Sequence, residues 1–385
     1  MTGSERSSTT LGHVPDCDRY TSCGGCGLMA LDYGAQRAEK ARQFAKHWEA
    51  AGLPSAPVRW VLGNAAPLRY RNRIRCQVAA DGRVHFFNQQ KLETCAVLDD
   101  SVHAGVDLAK QTALRHPNAM RHFASLEVRG FDSCGRGAIA FRRRSAAAAC
   151  APSASEFDRA RAELRAEWPE AWLVAGLDDE PAPCQRWQLA SDVYAEVPVD
   201  AFMQVNTEVN RLLVEHVRSG LLLRQATDFV DLFMGSGNFA LPLLAKGLAG
   251  YAVEAHVGAV RAAVRAAQAQ GLSFAEARSG DADRCTREWL ERGLEVDIVI
   301  CDPPRPGLKG GVPTVARLAR RAVVLCSCNP RSLVRDVASF LDHGFAVAQV
   351  SLFDMFPQTA HLESVVWLHR VGREPNFRET SADSV

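Results

Sequence analysis

The chain contains 385 residues, carries a formal net charge of +1 at pH 7 and is 47% hydrophobic. A chain of this length can bury a large core and suggests two domains, and its composition is that of an ordinary globular protein. No apolar run approaches the roughly 18 residues of a membrane span, and residues 1–15 lack the apolar core of a signal peptide. These features exclude a membrane-spanning or secreted protein, so we expect a cytoplasmic monomer with a flexible tail at 1–15.

The first motif in the chain is a group of cysteines. Cys17, Cys23 and Cys26 follow the spacing Cys-x5-Cys-x2-Cys with interleaved glycines, and Cys95 offers a fourth thiolate. In a reducing compartment, cysteines serve metal binding or catalysis rather than disulfides. Four thiolates suit a structural Zn²⁺ ion or an iron–sulfur cluster, and the alternative is that they are unrelated free thiols. The uneven spacing, with only one Cys-x2-Cys unit, favours a [4Fe–4S] cluster.

Four arginines, Arg69, Arg71, Arg73 and Arg75, alternate with other residues. At a strand's period of two, this pattern predicts four guanidiniums on one face of a strand. Such a face repels itself unless an anion lies across it, and nucleic-acid phosphates would fill that role. The pattern also fits a solvated edge strand that uses charge to prevent aggregation. The sequence leaves both interpretations open.

The two halves of the chain differ in their pattern of elements. A helix is predicted over 28–52, and from about 58 to 200 short strands and turns predict a β-rich α+β region. The later predictions are helix 207–219, strand 227–233, a helix from 238, strand 250–254, helix 256–270, a short strand before 281, strands 296–301 and 322–326, helix 330–343 and two closing strands. This alternation predicts a parallel, doubly wound sheet. We therefore place an N-terminal region at 16–200 and a Rossmann-like domain at 201–385.

A glycine-rich turn, Gly235-Ser-Gly237-Asn238, follows the strand at 227–233 and opens a helix. A Gly-x-Gly turn lets a nucleoside approach the backbone, and Glu254, at the end of the next strand, could hold ribose hydroxyls. A third glycine of the kind that binds a pyrophosphate is missing. Together these features fit S-adenosylmethionine better than a dinucleotide.

Two further strand ends carry candidate functional residues. One leads into Asp302-Pro-Pro-Arg305, a stiff loop that could position a planar base, although prolines also occur in structural crossovers. The next strand is stopped by Asn329-Pro330 and places Cys328 at the carboxyl edge of the sheet, where ligands bind in open α/β folds. Cys328 is either a nucleophile or a small buried hydrophobe. The glycine turn upstream and the lone Glu363 downstream favour the nucleophile.

These motifs together resemble the uracil-C5 RNA methyltransferases, and in particular their iron–sulfur-containing 23S ribosomal RNA branch. The motifs are the cysteine group, Tyr70-Arg-Asn-Arg73, Phe202-Met-Gln-Val-Asn206, Asp302-Pro-Pro-Arg305, Ser327-Cys-Asn-Pro330 and the segment from Asp354 to Glu363. The resemblance implies an α/β fold with a C-terminal class I, Rossmann-like S-adenosylmethionine methyltransferase domain. It also implies an N-terminal iron–sulfur and β-rich α+β RNA-binding region.

The resemblance also implies roles for single residues. Cys328 would be the nucleophile and Glu363 the base, and the four cysteines would hold one [4Fe–4S] cluster. The S-adenosylmethionine site would be lined by Gln204, Phe233, Asn238, Glu254, Asp281 and Asp302, next to Gly235 and Gly237 of the glycine turn. We expect the cluster to be structural, because nothing in the sequence places it near Cys328.

The implied reaction is methylation of C5 of a specific uridine in 23S rRNA, in a loop or flipped out of a helix. Transfer RNA is the alternative substrate, but the branch that acts on it generally lacks the four-cysteine set. A non-catalytic RNA-binding assembly factor would leave Cys328 and Glu363 unexplained. Larger members of the family carry an N-terminal RNA-binding barrel, and we expect this chain to lack one, since it begins close to Cys17.

Overall fold

The chain folds around an eight-stranded sheet, a five-stranded sheet and a two-stranded hairpin. The computed structural model describes residues 16–17, 19–62, 66–86, 94–144, 153–176, 181–220 and 225–372, so the predicted tail at 1–15 lies outside the described residues. None of the helices in these segments is long and apolar enough to cross a membrane.

The five-stranded sheet and its helices occupy much of the first half of the chain. The elements are α1 (Tyr20–Cys23), α2 (Tyr33–Ala50), β1 (Val58–Trp60), β2 (Arg73–Val78), β3 (Val84–His85), α3 (Asp100–Arg115), α4 (Pro117–Met120), β4 (Phe123–Arg129), β5 (Gly137–Arg143), α5 (Ala154–Ala166), β6 (Trp172–Gly176), β7 (Cys184–Ala190) and β8 (Val193–Pro198). The strand order is β3-β2-β4-β5-β6, and β7 and β8 form the separate hairpin. Phe123, Leu126 and Phe141 are fully buried with apolar residues of α3, α4 and α5. The sequence pattern did not indicate these three helices.

The second half forms most of the eight-stranded sheet. Its elements are α6 (Thr207–Arg218), β9 (Asp228–Leu232), α7 (Ala240–Leu244), β10 (Ala249–Glu254), α8 (Val257–Ala269), β11 (Glu276–Ser279), α9 (Ala282–Glu291), β12 (Val296–Cys301), α10 (Val312–Leu318), β13 (Ala319–Ser327), α11 (Pro330–Asp342), β14 (Phe345–Phe353) and β15 (Glu363–Arg370). The strand order is β1-β14-β15-β13-β12-β9-β10-β11. All neighbours are parallel except β15, which is antiparallel to both β13 and β14. The predicted sheet is confirmed, with one reversed strand that the alternation could not reveal.

The central strands are buried on both faces. On β13, Val323 and Leu325 pack into one apolar cluster, whereas Val324 and Cys326 pack into the other. Helices on both sides of a parallel sheet require such continuous apolar strands, and each fully buried Val or Leu side chain contributes roughly 1.5–3 kcal/mol. The strands that lead to the candidate site are therefore firmly held.

A segment from the start of the chain is built into the large sheet. Strand β1 pairs with β14 in parallel, with Val58 opposite Val350. Helix α2 packs on α11, and its Phe44 and Trp48 join the same apolar cluster as the strands β13 and β15. Residues that precede the five-stranded sheet in sequence therefore lie against the sheet that carries Cys328.

The alternating arginines do not form one strand face. Strand β2 begins only at Arg73, because Arg69 has a left-handed backbone with a φ of 53°. Arg71 makes isolated bridges to Leu98 and Asn206 instead of continuing the strand. The predicted arginine strand is therefore wrong in its first half.

Three of these arginines have carboxylate partners within the protein. Arg69 pairs with Asp100 at 2.6 Å. Arg73 and Arg75 both reach Glu127, at 3.4 and 3.5 Å. Because Glu127 also pairs with Arg129 at 3.0 Å, one carboxylate serves three arginines, and the fold relieves their repulsion only in part.

Candidate active site

Several strands of the large sheet end at the same edge. Leu232 of β9 pairs with Val253 of β10 and with Cys301 of β12. Cys301 in turn pairs with Leu325 of β13. Four features that the sequence singled out therefore emerge side by side, namely the glycine turn, Glu254, Asp302 and Cys328. This is the edge at which open α/β sheets bind ligands.

The turn after β9 adopts backbone conformations that favour glycine. The φ angle is 57° at Gly235 and 91° at Gly237, and a Cβ on Gly237 would lie 2.7 Å from the side chain of Leu241. The carboxylate of Glu254 fixes this turn, since it accepts hydrogen bonds from Gly235 N at 3.1 Å and from His256 N at 2.9 Å. Glu254 thus lies at the turn, and its contact with a ribose stays a prediction.

A cavity opens beside the glycine turn, bounded also by the Phe202–Asn206 motif and by the hairpin β7–β8. Its lining includes five of the eight residues predicted for the cofactor, namely Gln204, Phe233, Gly235, Asn238 and Asp302. Asn238 is oriented by two amide hydrogen bonds with Asn210, of 2.8 and 3.0 Å. The lining combines apolar and amide groups with one carboxyl group, which suits a nucleoside-containing ligand.

Three buried polar atoms of the cavity lining have no partner in the described part of the chain. They are Asn72 Oδ1, Trp187 Nε1 and Ser236 Oγ. Because an unpaired buried polar group is costly, such atoms mark places where a polar ligand can bind. Ser236 lies within the glycine turn and Asn72 within the Tyr-Arg-Asn-Arg motif, so motif reading could have found them. Nothing in the sequence around Trp187 singled it out.

Gly237 and Asp281 do not belong to the cavity lining. Gly237 shapes the turn, whereas Asp281 is exposed and caps α9, where its side chain accepts a hydrogen bond from Arg284 N at 2.9 Å. The predicted contacts of these two residues with a cofactor stay predictions.

Two carboxyl groups with raised pKa values lie at this edge. Glu363 is 3% exposed, and its Oε1 has no hydrogen-bond partner among the described residues. Burial and the charge of Asp302 raise the pKa of Glu363 well above its ordinary value, and burial raises the pKa of Asp302 to about 6. Like charges in one buried region disfavour each other's ionisation. A cationic ligand in the neighbouring cavity would relieve this repulsion.

Strands β13 and β15 bring Cys328 and Glu363 together. The strands are antiparallel, and their last pair is Ser327 with Ser364. Cys328 directly follows the end of β13 and Glu363 is the first residue of β15, so the two residues lie near each other at the strand ends, where the charge of Glu363 acts on Cys328. Ser364 Oγ donates to the Ser327 carbonyl at 2.9 Å and holds this register. The residues predicted as nucleophile and base are therefore neighbours.

Arg305 is the positive group next to Cys328. Its loop is tied to the cysteine loop, because Asn329 Nδ2 and Ser332 Oγ donate to the Arg305 carbonyl at 3.0 and 2.9 Å. Burial and the charge of Glu363 raise the pKa of Cys328, and the charge and hydrogen bond of Arg305 oppose this rise without cancelling it. The resting protein therefore holds a thiol at neutral pH, with one cation placed to stabilise the thiolate. Arg305 belongs to the Asp-Pro-Pro-Arg motif, but the sequence did not identify it as the cation beside Cys328.

Comparisons with known proteins identify the family. The model of the tRNA (uracil-5-)-methyltransferase family matches residues 190–371. A 23S rRNA (uracil(1939)-C(5))-methyltransferase RlmD of Pseudomonas entomophila is 32% identical over 368 residues, which cover 91% of this chain and 78% of the relative. The chain belongs to the RNA uracil-C5 methyltransferase family.

Two further comparisons agree with this assignment. The enzyme of the same name from Pseudomonas aeruginosa is 30% identical over 383 residues, which cover 93% of this chain and 81% of the relative. The crystal structure of Pyrococcus abyssi tRNA (uracil-54, C5)-methyltransferase in complex with S-adenosyl-L-homocysteine has a TM-score of 0.66 at 20% identity, covering 89% of this chain and 85% of that chain. The shared fold confirms the predicted α/β methyltransferase architecture.

The four N-terminal cysteines of this methyltransferase lie near one another. Burial raises the pKa of Cys26 to about 11, together with the charges of Cys95, Cys23 and Cys17. Cys17 and Cys95 line one pocket. Across the described segments, no group of three or more His, Cys, Asp or Glu side chains is arranged to hold a metal ion. The fold thus brings the four thiols near one another, and the described residues form no metal site.

Proposed function

We propose that this methyltransferase transfers a methyl group from S-adenosylmethionine to C5 of one uridine in 23S rRNA, as a cytoplasmic monomer. The observation that carries the proposal is the proximity of Cys328 and Glu363, next to the Ser327–Ser364 pair and beside a cavity lined in part by Asp302. The substrate is supported by the relatives at 32% and 30% identity, which are named as 23S rRNA enzymes.

Cys328 is the proposed nucleophile. Uracil C5 alone is a poor nucleophile, so the Cys328 thiol first loses its proton to water, and the thiolate then adds to C6 and forms an S–C6 bond. The electrons of the C5=C6 double bond then become an enolate over C5 and O4. S-Adenosylmethionine supplies the electrophilic methyl group that C5 takes, and S-adenosylhomocysteine leaves. Covalent catalysis of this kind divides one hard step into easier ones, and Arg305 stabilises the sulfur anion before attack and on departure.

Glu363 is the proposed base. After methylation, C5 carries both a methyl group and a proton. The Glu363 carboxylate takes this proton, and the C–H electron pair forms an enolate that expels the Cys328 sulfur and restores the C5=C6 bond. The raised pKa of Glu363 suits this step, because a carboxylate with a high pKa accepts a proton more readily than an ordinary one.

The cofactor-binding residues are proposed from the cavity and the adjoining turn. They are Gln204, Phe233, Gly235, Gly237, Asn238, Glu254, Asp281 and Asp302. Asp302 makes the cavity favourable for a cation, because a nearby sulfonium would stabilise the ionised form of this carboxyl group. The unpartnered Ser236 Oγ and Trp187 Nε1 offer an acceptor and donor for the rest of the ligand.

We also propose that Cys17, Cys23, Cys26 and Cys95 hold one [4Fe–4S] cluster with a structural role. The support is the Cys-x5-Cys-x2-Cys spacing with Cys95 as a fourth thiolate, and the electrostatic effect of the other three thiols on Cys26. Anaerobically purified protein should be brown and contain iron, and protein with stoichiometric zinc and no iron would contradict the cluster.

A uridine in transfer RNA is the second candidate substrate. It is favoured by the matching family model and the similar Pyrococcus abyssi structure, which are both named for tRNA. Mass mapping of 5-methyluridine in ribosomal and transfer RNA, from cells with and without the gene, separates the two. We expect one 5-methyluridine to disappear from 23S rRNA. Loss from tRNA alone would support the second candidate, and unchanged RNA with no S-adenosylmethionine binding would indicate a non-catalytic assembly factor.

A further inference from the structure

The loop between β14 and β15 ends directly at Glu363. It covers residues 354–362. The Glu363 carboxyl group is buried, and its Oε1 receives no hydrogen bond from the described residues. Glu363 is the first residue of β15, opposite Phe353 of β14, so the loop enters the strand directly at the residue that carries the carboxyl group.

Lys40 of α2 holds the start of this loop. Its Nζ donates to Asp354 Oδ1 at 2.5 Å and to the Phe356 carbonyl at 2.9 Å. The Lys40 and Asp354 side chains are only 1% and 3% exposed. Burial lowers the pKa of Lys40 even though Asp354 acts to raise it. A buried pair of this kind contributes little net stability but can fix one arrangement of the chain.

Gln36, one helical turn before Lys40, holds the middle of the loop. Its Nε2 donates to Gln358 Oε1 at 2.8 Å, and Gln358 N donates to Gln36 Oε1 at 3.0 Å. Gln358 has a φ of 70°, which non-glycine residues rarely adopt. Such a conformation persists only where neighbouring contacts stabilise it. Gln36 supplies two of those contacts.

Other residues of the N-terminal region complete this clamp on the loop. Leu28 N donates to the Gln358 carbonyl at 2.9 Å. Tyr70 OH donates to the Pro357 carbonyl at 3.0 Å, and Gln358 Nε2 donates to the Pro67 carbonyl at 3.2 Å. The loop that leads to Glu363 is thus anchored to a part of the chain about 300 residues away in sequence.

We infer that Lys40 and Gln36 are positioning residues for proton abstraction, which hold the 354–362 loop so that Glu363 faces C5 of the uracil bound to Cys328. The inference rests on the proposed role of Glu363. Neither residue is placed to touch the reacting atoms. A misplacement of about 1 Å can reduce a rate on the order of 10²-fold. Cys328 is carried by β13 and not by this loop, so loosening the loop should impair proton removal and spare addition.

Two variants test this inference. Gln36→Leu removes the two hydrogen bonds to Gln358 without leaving a charge. Lys40→Met combined with Asp354→Asn removes the buried ion pair, whereas Lys40→Met alone would leave a buried, unpaired carboxylate that can prevent folding. Arg320→Met is the matched control, because Arg320 pairs with Asp228 and Asp297 at the opposite end of the strands.

Each variant is incubated with S-adenosylmethionine and 23S rRNA, next to the wild type and Glu363→Gln. We expect kcat to fall on the order of 10²-fold with an unchanged KM for RNA. Methylated RNA should accumulate in a denaturant-resistant complex with the protein. Combining each variant with Cys328→Ala should abolish this complex. The Arg320→Met protein should melt at a lower temperature but show neither effect.

Folded variants that turn over at the wild-type rate and form no complex would overturn the inference. A separate result tests the proposed function on which this inference rests. If the wild type transfers no methyl group, or if Cys328→Ala remains active, the proposed function itself fails.

Discussion

The two ends of the large sheet treat their carboxyl groups in opposite ways. At the amino end, Asp228 and Asp297 pair with Arg320 at 2.8 and 3.2 Å. Burial acts to raise the pKa of Asp297, but hydrogen bonds from Thr227 and the charge of Arg320 outweigh it and lower that pKa. These carboxylates are balanced groups that stabilise the fold.

At the carboxyl end, Asp302 and Glu363 form no ion pair within the described residues, and burial raises the pKa of both. Cys328 lies beside them with a raised pKa of its own. The same sheet thus gives its carboxylates an arginine partner at one end, whereas Asp302 and Glu363 at the other end have no such partner among the described residues. Perturbed titratable groups of this kind mark functional sites, and the contrast locates the chemistry at the carboxyl edge.

The largest expected effect comes from the two neighbouring cysteines of β13 and its loop. Cys328→Ala cannot add to C6, so methyl transfer and covalent RNA should both vanish. Cys326→Ala should retain nearly full activity, because Cys326 is fully buried in the core. Tritium transfer from labelled S-adenosylmethionine to RNA measures both. An active Cys328→Ala protein would show that the cysteine at the edge of the sheet is as dispensable as the cysteine in the core.

A smaller loss is expected from Arg305→Met, measured as kcat/KM against pH. Arg305 lowers the pKa of Cys328, so its removal should raise that pKa further and move the rising limb of the profile to higher pH. We expect a loss on the order of tenfold in rate at neutral pH, which corresponds to about 1.4 kcal/mol. Arg320→Met should leave the profile in place. A shift in both variants would mean a general loss of stability instead.

The smallest effect is expected for Asp302→Asn, measured by calorimetric titration with S-adenosylmethionine. Asp302 has a pKa of about 6, so it is ionised above that pH and loses its attraction for a sulfonium as pH falls below it. Wild-type affinity should therefore drop between pH 7 and 5. The Asn variant should bind about tenfold more weakly at neutral pH, a loss of about 1.4 kcal/mol, and show little pH dependence. An equally pH-dependent variant would contradict this role.

The sequence pattern predicted the parts of this molecule that depend on local order. Alternating strands and helices placed the glycine turn, Asp302 and Cys328 at one edge, since parallel strands end together. It could not predict the clamp on the 354–362 loop, because Lys40 and Asp354 are 314 positions apart in the sequence. The prediction of an arginine face was wrong for a local reason, which is the left-handed backbone at Arg69. The resemblance to the family indicated Glu363 as the base, and the antiparallel strand β15 places this residue near Cys328.

The central claim is that Cys328 and Glu363 divide the reaction between them, and Glu363→Gln tests it most directly. This variant keeps the thiolate, so addition and methylation can proceed while the C5 proton remains in place. Incubation with RNA and S-adenosylmethionine should therefore yield methylated RNA bound to the protein in a denaturant-resistant band that requires Cys328. A Glu363→Gln enzyme that turns over normally would contradict this division of roles. It would mean that another group takes the C5 proton. His361 is the nearest candidate in sequence. Burial and the charge of Arg305 lower its pKa, so its imidazole is neutral and can accept a proton.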